Sequence, residues 1–329
     1  MKTVLLTNKY DGVPLAILEQ AIAGRFELRM LDEVTQEDLE KKVHEADYLL
    51  VSGRLKVTRE LLAKAKNLKM IQRTGVGLDN IDFDAVKEYG IPFYVNFGVN
   101  SISVAEHAVM LILAVMRRIC AVDAQIRKGV WKKQATGLST HQLYGKTVGV
   151  IGMGNIGKHV AEILRGFGVR ILYFDQYRLK PEEEEKYGVT YCLKEEVLKE
   201  SDVVTLHCSL DPKGGYVIGK EELGMMKDGA ILINTARGKL VDTKALKEAL
   251  ENGHLAGAGI DTYEEEPVKP DNPLLTLPNT TLSPHIGGLS YESFSRMMEL
   301  AMQNVCAFDC GQKEMIENNR IKFVEGKNR

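Results

Sequence analysis

The sequence is poor in the residues that mark secreted, disulfide-bonded or metal-binding proteins. Its 329 residues include only five cysteines, an odd number, and no two of them form a C-x-x-C pair. No cluster of histidines lies beside them. This pattern argues against a disulfide framework and a zinc site, and it favours reduced thiols in a cytoplasmic protein that holds no metal.

Long hydrophobic runs are also missing. The longest, residues 108–116, is far shorter than the roughly 20 residues of a membrane-spanning helix, so a buried helix is the better interpretation. The N-terminal residues, MKTVLLTNKYDG, contain one early lysine and a brief apolar run. They lack the apolar length of a signal peptide and are interpreted as the first strand of the fold.

An excess of charge of one sign is the third absence. The chain has 43 basic and 45 acidic residues and a net charge of -2. It therefore carries no net field that would attract nucleic acid or an anionic membrane, and neither is expected as a partner. Hydrophobic residues make up 44% and charged residues 27%, which is ordinary for a globular protein, and the length is sufficient for two domains.

The most informative stretch that is present runs from residue 147 to residue 175. A short apolar run at 148–151 predicts a buried strand, and a second at 169–174 predicts its neighbour. Between them lies an amphipathic helical pattern. Three glycines in G-x-G-x-x-G spacing join the first strand to this helix: Gly152, Gly154 and Gly157.

This order of elements is typical of a dinucleotide-binding unit. The first glycine allows a tight turn, the second lets the backbone approach a pyrophosphate, and the third lets the helix pack close to the strand. The helix N-terminus then offers free N–H groups to the phosphates. Asp175 lies about 20 residues further on, where its carboxylate can bind both ribose hydroxyls and would repel a 2′-phosphate. We therefore expect NAD rather than NADP; a glycine-rich turn in another α/β protein is the alternative.

Residues 1 to about 100 predict a first α/β unit, because short apolar runs alternate with helical patterns. The predicted strands are 3–7, 26–30, 48–51, 70–73 and 93–95. Ligands gather beyond the carboxyl ends of parallel strands. The turn with Gly75 and Gly77, which follows one of these ends, is therefore a candidate for binding a substrate carboxylate through backbone N–H groups, although it could be an ordinary turn.

The second half of the chain predicts further strands at 202–206, 230–234, 256–260 and 280–282. The last three would deliver Arg237, Asp261 and His285 to the same edge of one sheet. Before this half, a long helical pattern begins at Ser101 or Ser103 and runs through Arg118. Trp131, the single tryptophan, is predicted to anchor the packing of a loop.

Six stretches together resemble the family of D-isomer-specific 2-hydroxyacid dehydrogenases, over nearly the whole chain. They are RTGVGLDNID at 73–82, SVAE at 103–106, the glycine stretch at 147–175, NTARG at 234–238, DTYEEEP at 261–267 and SPHIGG at 283–288. The resemblance implies an α/β fold of two doubly wound parallel-sheet domains. A Rossmann NAD-binding domain, 101–289, would be inserted into a flavodoxin-like substrate domain, 1–100 and 290–329, with the active site in the cleft between them.

The resemblance implies a catalytic set of Arg237, Glu266 and His285. In this interpretation His285 exchanges a proton with the substrate hydroxyl or carbonyl, since histidine titrates near neutral pH. Glu266, the glutamate just before the proline, would stabilise the imidazolium. Arg237 would hold the substrate carboxylate and polarise its carbonyl.

The resemblance also implies which residues bind the two small molecules. The NAD contacts would be Val76, Gly152, Gly154, Asn155, Ile156, Gly157, Asp175, Cys208, Thr235, Ala236, Arg237, Asp261, His285 and Gly288. The substrate contacts would be Arg54, Gly75, Val76, Gly77 and Arg237.

The implied function is hydride transfer between NAD(H) and a small 2-hydroxy or 2-oxo acid, in a homodimer. Hydroxypyruvate, glyoxylate and 3-phosphoglycerate are the leading substrates, and Ser52, which stands where the phosphoglycerate enzymes tend to have arginine, favours an unphosphorylated one. Formate and phosphite enzymes are related alternatives, but Glu266 replaces the glutamine of the former and residues 74–77 lack the lysine of the latter. An NAD-sensing corepressor on the same fold is the alternative from another class.

Overall fold

A computed structural model describes residues 1–211, 214–324 and 327–328. The chain forms two compact units, which are Met1–Asn100 with Ser290–Arg329, and Ser101–Leu289. We call them unit 1 and unit 2. Within the described residues, no helix combines the length and the apolar character needed to cross a membrane.

Unit 1 is built on a five-stranded parallel sheet. Its strands are β1 (Thr3–Leu6), β2 (Glu27–Arg29), β3 (Tyr48–Val51), β4 (Met70–Arg73) and β5 (Phe93–Val95). Their order, β2-β1-β3-β4-β5, is the flavodoxin-like one. The helices are α1 (Gly12–Ile22), α2 (Gln36–Lys42), α3 (Arg59–Lys64) and α4 (Phe83–Glu88). A further helix of this unit, Tyr291–Asp309, comes from the C-terminal part of the chain.

Burial explains why these short segments become strands. All residues of β1, β3, β4 and β5 are buried, as expected for parallel strands covered on both faces. Alternate side chains enter different cores: Leu49 and Ile71 pack in one cluster, whereas Leu50 and Met70 pack in the other with the helix Tyr291–Asp309. Both faces of the sheet are therefore covered.

Unit 2 is built on a seven-stranded parallel sheet. Its strands are β6 (Thr147–Ile151), β7 (Arg170–Phe174), β8 (Val189–Tyr191), β9 (Val203–Leu206), β10 (Ala230–Asn234), β11 (Leu255–Ile260) and β12 (Thr280–Leu282). The strand order is β12-β11-β10-β9-β6-β7-β8. The chain adds β7 and β8 on one side of β6 and then β9 to β12 on its other side, as in the Rossmann fold. The predicted fold class, two doubly wound parallel sheets, is therefore confirmed.

The helices of unit 2 cover this sheet and extend beyond it. They are α5 (Ser101–Arg117), α6 (Ile119–Arg127), α7 (Lys133–Leu138), α8 (Asn155–Arg165), α9 (Pro181–Tyr187), α10 (Lys194–Glu200), α11 (Lys220–Met225) and α12 (Thr243–Glu251). The predicted long helix ends one residue early, because Arg118 adopts a left-handed conformation. The prediction that Trp131 anchors packing is wrong for the single chain, because its side chain is 79% exposed.

Short elements complete the chain. Short 3-10 helices occur at Val43–Glu45, Gly238–Leu240, Pro273–Thr276 and Lys313–Asn319. The two-residue strands Phe323–Val324 and Lys327–Asn328 pair antiparallel near the C-terminus.

Candidate functional site

The carboxyl ends of six parallel strands meet in register at one edge of unit 2. Ile151 pairs with both Phe174 and Leu206, Leu206 pairs with Asn234, and Ile260 pairs with Asn234 and Leu282. The residues that directly follow these strand ends are therefore neighbours along the edge. In spatial order they are Asp175, Gly152, His207, Thr235, Asp261 and Ser283.

The turn after β6 leaves no room for a side chain at Gly152 or at Gly157. A Cβ atom on Gly152, whose φ is +98°, would lie 2.5 Å from the backbone nitrogen of Cys208. A Cβ on Gly157 would lie 2.2 Å from the carbonyl oxygen of Gly152. Gly154, by contrast, has no neighbouring atom within 4 Å of its ideal Cβ position, and α8 begins directly after it with Asn155. The backbone at this helix N-terminus is thus open to a ligand.

Asp175, at the end of β7, is tied to the same turn. One carboxylate oxygen accepts a hydrogen bond from the backbone N–H of Met153 at 2.6 Å, and the other accepts one from the N–H of Tyr177 at 2.8 Å. These bonds fix the carboxylate beside the glycine turn, where the fingerprint expects an acidic residue.

Glu266 and His285 form a hydrogen-bonded pair. The ring nitrogen Nδ1 of His285 lies 2.6 Å from Oε2 of Glu266, and the other carboxylate oxygen accepts a hydrogen bond from the N–H of Tyr263. A carboxylate can only accept, so Nδ1 carries the proton and Nε2 remains for a ligand. The side chain of His285 is 45% exposed and that of Glu266 is 37% exposed, so the pair is accessible.

The pair shifts the pKa values of both groups. The pKa of His285 is raised above its ordinary value, first by the hydrogen bond to Glu266, while burial acts in the opposite direction. Burial on its own would raise the pKa of Glu266, but the hydrogen bonds from His285 and Tyr263 lower it. The positive charge of Arg237 lowers the pKa of Glu266 further and partly offsets the rise at His285. An ionised glutamate therefore stabilises an imidazolium.

Arg237 is held in the loop after β10. The side chain of Asn234 bridges this loop, because its amide donates to the carbonyl of Arg237 at 2.8 Å and its oxygen accepts from the N–H of Ala236 at 3.0 Å. A Cβ on Gly238 would lie 1.9 Å from the carbonyl carbon of Tyr263. The loop that carries Arg237 thus rests directly on the backbone of the loop that carries Glu266.

Asp261 follows β11 and is 1% exposed. It accepts hydrogen bonds from the hydroxyl of Ser283 at 2.6 Å and from the N–H groups of Ile286 at 3.0 Å and Gly287 at 2.8 Å. Burial on its own would raise the pKa of Asp261, but the nearby imidazole of His107 and these three hydrogen bonds lower it to about 2. Asp261 is therefore an anion that holds the loop carrying His285.

The predicted substrate residues of unit 1 lie at the carboxyl edge of its own sheet. Because Val51 and Arg73 are in register, the turns after β3 and β4, which contain Arg54 and residues 75–77, are neighbours. The buried side chain of Arg73 lies between them: Nε donates to the carbonyl of Gly77 at 2.7 Å and Nη1 to that of Val51 at 3.2 Å. Arg54 itself is exposed.

Comparison with known proteins identifies the fold's family. Residues 109–287, more than half of the chain, match the model of the NAD-binding domain of D-isomer-specific 2-hydroxyacid dehydrogenases. The chain belongs to this family. It is therefore an enzyme, an NAD-dependent oxidoreductase that transfers hydride between NAD(H) and a small 2-hydroxy or 2-oxo acid.

Individual relatives agree with this assignment. The dehydrogenase is 43% identical over 277 residues to a glyoxylate reductase of Thermococcus litoralis, covering 83% of each chain. It is 41% identical over 295 residues to a D-3-phosphoglycerate dehydrogenase of Methanocaldococcus jannaschii, covering 89% of this chain and 55% of that one. Among solved structures, the TT0316 protein of Thermus thermophilus aligns with a TM-score of 0.85 and 37% identity, covering 94% and 97% of the two chains.

The strand edge of the dehydrogenase fits the NAD that its family binds. The glycine turn and the open N-terminus of α8, which starts with Asn155 and Ile156, suit a pyrophosphate. Among the described residues, Nδ1 of His207 and Oγ1 of Thr235 are buried without a hydrogen-bond partner in the protein. Burial lowers the pKa of His207 to about 3, so its ring is neutral. These polar atoms at the predicted cofactor edge are available to a bound molecule.

Residues that the sequence interpretation did not assign also organise the dehydrogenase site. Tyr263 donates its N–H to Glu266 and its hydroxyl to the carbonyl of Ser283, so it links the two loops that carry Glu266 and His285. His107 lies 2.8 Å from the hydroxyl of Ser283. The sequence contained a signal for His107. Helical spacing puts it on the same face of α5 as the buried Val104 and Leu111, where a polar side chain needs a hydrogen-bond partner.

Proposed function

We propose that this dehydrogenase reduces glyoxylate with NADH, and that Arg237, Glu266 and His285 are its catalytic residues. The observation that carries the proposal is the hydrogen bond between His285 and Glu266, with Arg237 close enough to affect the pKa of both. Such a group combines a proton donor with a cation that recognises a carboxylate.

Each of the three side chains has a separate role in the proposed reaction. NADH, when bound, supplies the hydride that adds to the 2-oxo carbon. His285, protonated, donates the Nε2 proton to the carbonyl oxygen, which becomes the hydroxyl of the product. Glu266 keeps the ring charged until that moment and orients it through Nδ1. Arg237 binds the carboxylate with two N–H groups and polarises the carbonyl.

We also propose that Gly75, Val76 and Gly77 of unit 1 bind the substrate carboxylate through backbone N–H groups, with Arg54 as a nearby cation. The contact between Arg73 and the carbonyl of Gly77 supports this, because it fixes the shape of the turn. Successive backbone N–H groups in a turn form an anion-binding concavity.

A small unphosphorylated acid is the preferred substrate in this proposal. The hydroxyl of Ser52, on the turn after β3, is engaged with that of Thr7 at 3.2 Å and brings no charge for a phosphate. The 43% identity to a glyoxylate reductase supports the same choice. The D-3-phosphoglycerate dehydrogenase relative supports the second candidate, a phosphorylated three-carbon acid.

The experiment is NADH oxidation by the purified full chain with glyoxylate, hydroxypyruvate, pyruvate and 3-phosphohydroxypyruvate as substrates. We expect the highest kcat/KM with glyoxylate. A higher value with 3-phosphohydroxypyruvate would overturn the choice of substrate and leave the reaction class intact. Turnover of none of the four would remove the whole proposal.

We further propose that the enzyme is a homodimer, joined through the patch formed by α6, α7 and the loop between them. Apolar side chains are exposed there, including Trp131 at 79% and Leu138 at 86%. Trp131 lines a groove of about 760 Å³ together with Ile119 and Ile126. A concentrated apolar surface of this kind is typical of an interface. A second copy is the natural occupant, because a two-fold axis places the same patch on both partners.

We propose the cytoplasm as the compartment of the enzyme. All five cysteines are free, and two of them, Cys120 and Cys310, are exposed. Exposed thiols persist where the surroundings are reducing. Cell fractionation tests this, and recovery of the protein from an oxidising compartment would contradict it.

A further inference from the structure

His285 occupies an unusual backbone conformation that the surrounding chain imposes on it. Its φ is +56°, in the left-handed region that residues with a Cβ seldom adopt. Such a conformation persists only where neighbouring contacts hold it. The loop around His285 therefore needs an anchor.

Asp261 is that anchor, because it bonds the loop on both sides of His285. Before the histidine it accepts the hydroxyl of Ser283, and after it the N–H groups of Ile286 and Gly287. A Cβ on Gly287 would lie 2.9 Å from Oδ2 of Asp261, so the backbone lies directly against the carboxylate. All three bonds point to one buried side chain.

His107 completes the arrangement from another element, the helix α5. The hydroxyl of Ser283 gives its one proton to Asp261, so towards His107 it can only accept. Nε2 of His107, at 2.8 Å from that oxygen and 3.4 Å from Oδ1 of Asp261, is therefore the donor. Its side chain is 13% exposed and also packs against Gly287, since a Cβ there would meet the imidazole at 3.4 Å.

We propose that His107 is a positioning residue for His285, acting through Ser283 and Asp261. Its Nε2–H fixes the Ser283 hydroxyl, the hydroxyl and two backbone N–H groups converge on Asp261, and the loop is thereby held in the conformation that aims His285 at its substrate and at Glu266. The inference rests on the proposed acid–base role of His285 and adds a residue outside the catalytic set.

The test compares His107→Phe with His107→Gln in the full-length enzyme. Phenylalanine keeps a ring but removes the donor, whereas the glutamine amide can place an N–H near the position of Nε2. We expect His107→Phe to lower kcat for glyoxylate reduction by about 10- to 100-fold, the scale of a misplaced catalytic group. The alkaline limb of its pH profile should move to lower pH, because a displaced His285 loses part of its bond to Glu266. His107→Gln should recover most of both properties.

Ser283→Ala interrupts the series of hydrogen bonds between His107 and Asp261, and it should change kcat and the pH profile in the same direction as His107→Phe. It also provides a test if His107→Phe fails to fold. The matched control is His254→Phe. His254 is likewise bonded to an aspartate, Asp228 at 2.7 Å, but it precedes β11, whereas Asp261 follows that strand. Its replacement should leave kcat and the pH profile unchanged.

Two results would overturn the inference. One is wild-type kcat and pH dependence in His107→Phe or in Ser283→Ala. The other is an equal loss in His107→Phe and His107→Gln that follows a lowered Tm with no shift of the pH profile, since that is simple packing. His285→Ala separates this failure from failure of the proposed function: it should lower kcat at least about 100-fold, and if it does not, the acid–base assignment itself is wrong.

Discussion

Nδ1 of His285 lies 2.6 Å from Oε2 of Glu266, and this pair sets the pH range of the proposed reaction. The hydrogen bond to Glu266 raises the pKa of His285 above 6.5, while burial opposes the rise. Reduction uses the protonated ring, so reductase activity is fully present below the raised pKa and is lost as the pH rises through it.

Replacing Glu266 by glutamine should move the alkaline limb of kcat/KM for glyoxylate to lower pH. The amide keeps the shape of the side chain but not the charge that stabilises the imidazolium. The pH–rate profile measures this. Glu265→Gln is the control, since that neighbouring carboxylate pairs with Lys269 instead. An equal shift in both variants would show that His285 responds to general charge rather than to Glu266.

Replacing Arg237 by lysine should reduce kcat/KM for glyoxylate by about 10- to 100-fold, the scale of a charge-assisted hydrogen bond. Lysine retains the positive charge but lacks the planar fork that binds a carboxylate through two N–H groups. Steady-state kinetics would show this mainly as a raised KM. Lys239→Met, which removes an exposed cation two residues away, should have little effect. A KM unchanged in Arg237→Lys would contradict carboxylate binding by Arg237.

Replacing Asp175 by asparagine should shift cofactor preference towards NADP. The carboxylate that would repel a 2′-phosphate is lost, while one oxygen remains to accept from the backbone. We expect the ratio of kcat/KM with NADPH to that with NADH to rise by about tenfold or more, corresponding to at least about 1.4 kcal/mol. Glu195→Gln, an exposed carboxylate on α10, serves as the control. An unaltered ratio would mean that Asp175 does not face the ribose.

Replacing Gly238 by alanine should lower the free energy of unfolding by about 1–3 kcal/mol, as for other overpacked sites. The new Cβ would overlap the backbone of Tyr263, so the loops carrying Arg237 and Glu266 must separate. The free energy of unfolding, measured with denaturant, and kcat should both fall. Gly224→Ala is the comparison, because no atom lies within 4 Å of its Cβ position and it sits in a helix, where alanine is favoured. Equal stability in the two variants would argue against the close contact.

Replacing Trp131 or Leu138 by aspartate should convert the proposed dimer to monomers, because a charge would be buried in an apolar interface. Light scattering after gel filtration measures the mass. Leu193→Asp changes another exposed leucine of unit 2, at 62% exposure and outside the patch, and should leave the mass unchanged. A monomeric wild-type enzyme would refute the proposal directly.

The sequence was sufficient to predict most of the framework that carries the site. Strands β3, β4, β5, β10 and β12 have the predicted bounds. The first four are buried throughout and are closed by a turn, whereas β12 is only partly buried. The short strand β8 was missed, since only the first of its residues Val189–Tyr191 is buried and they form no apolar run. The helices α6 and α7 were missed as well, because neither has a buried residue to produce an apolar stripe.

The details of the site were less accessible from the sequence. The motif around His285 predicts a turn but does not indicate that the histidine, rather than one of the following glycines, takes the positive φ. His107 lies 176 residues from Ser283, and only the tertiary fold brings them together. Trp131 was misjudged because a large aromatic usually packs within its own chain, whereas here it is exposed.

The register of the strand ends in unit 2 has a consequence for recombination between relatives of this enzyme. Chemistry-bearing residues follow the carboxyl ends of the strands, whereas the segments that precede them, such as residues 226–229 and 252–254, carry none of the residues assigned to the reaction. Chimeras joined at those amino-terminal loops should keep each strand together with the edge residues that follow it. A one-residue deletion inside β11 would instead turn every following side chain to the opposite face and withdraw Asp261 from its loop.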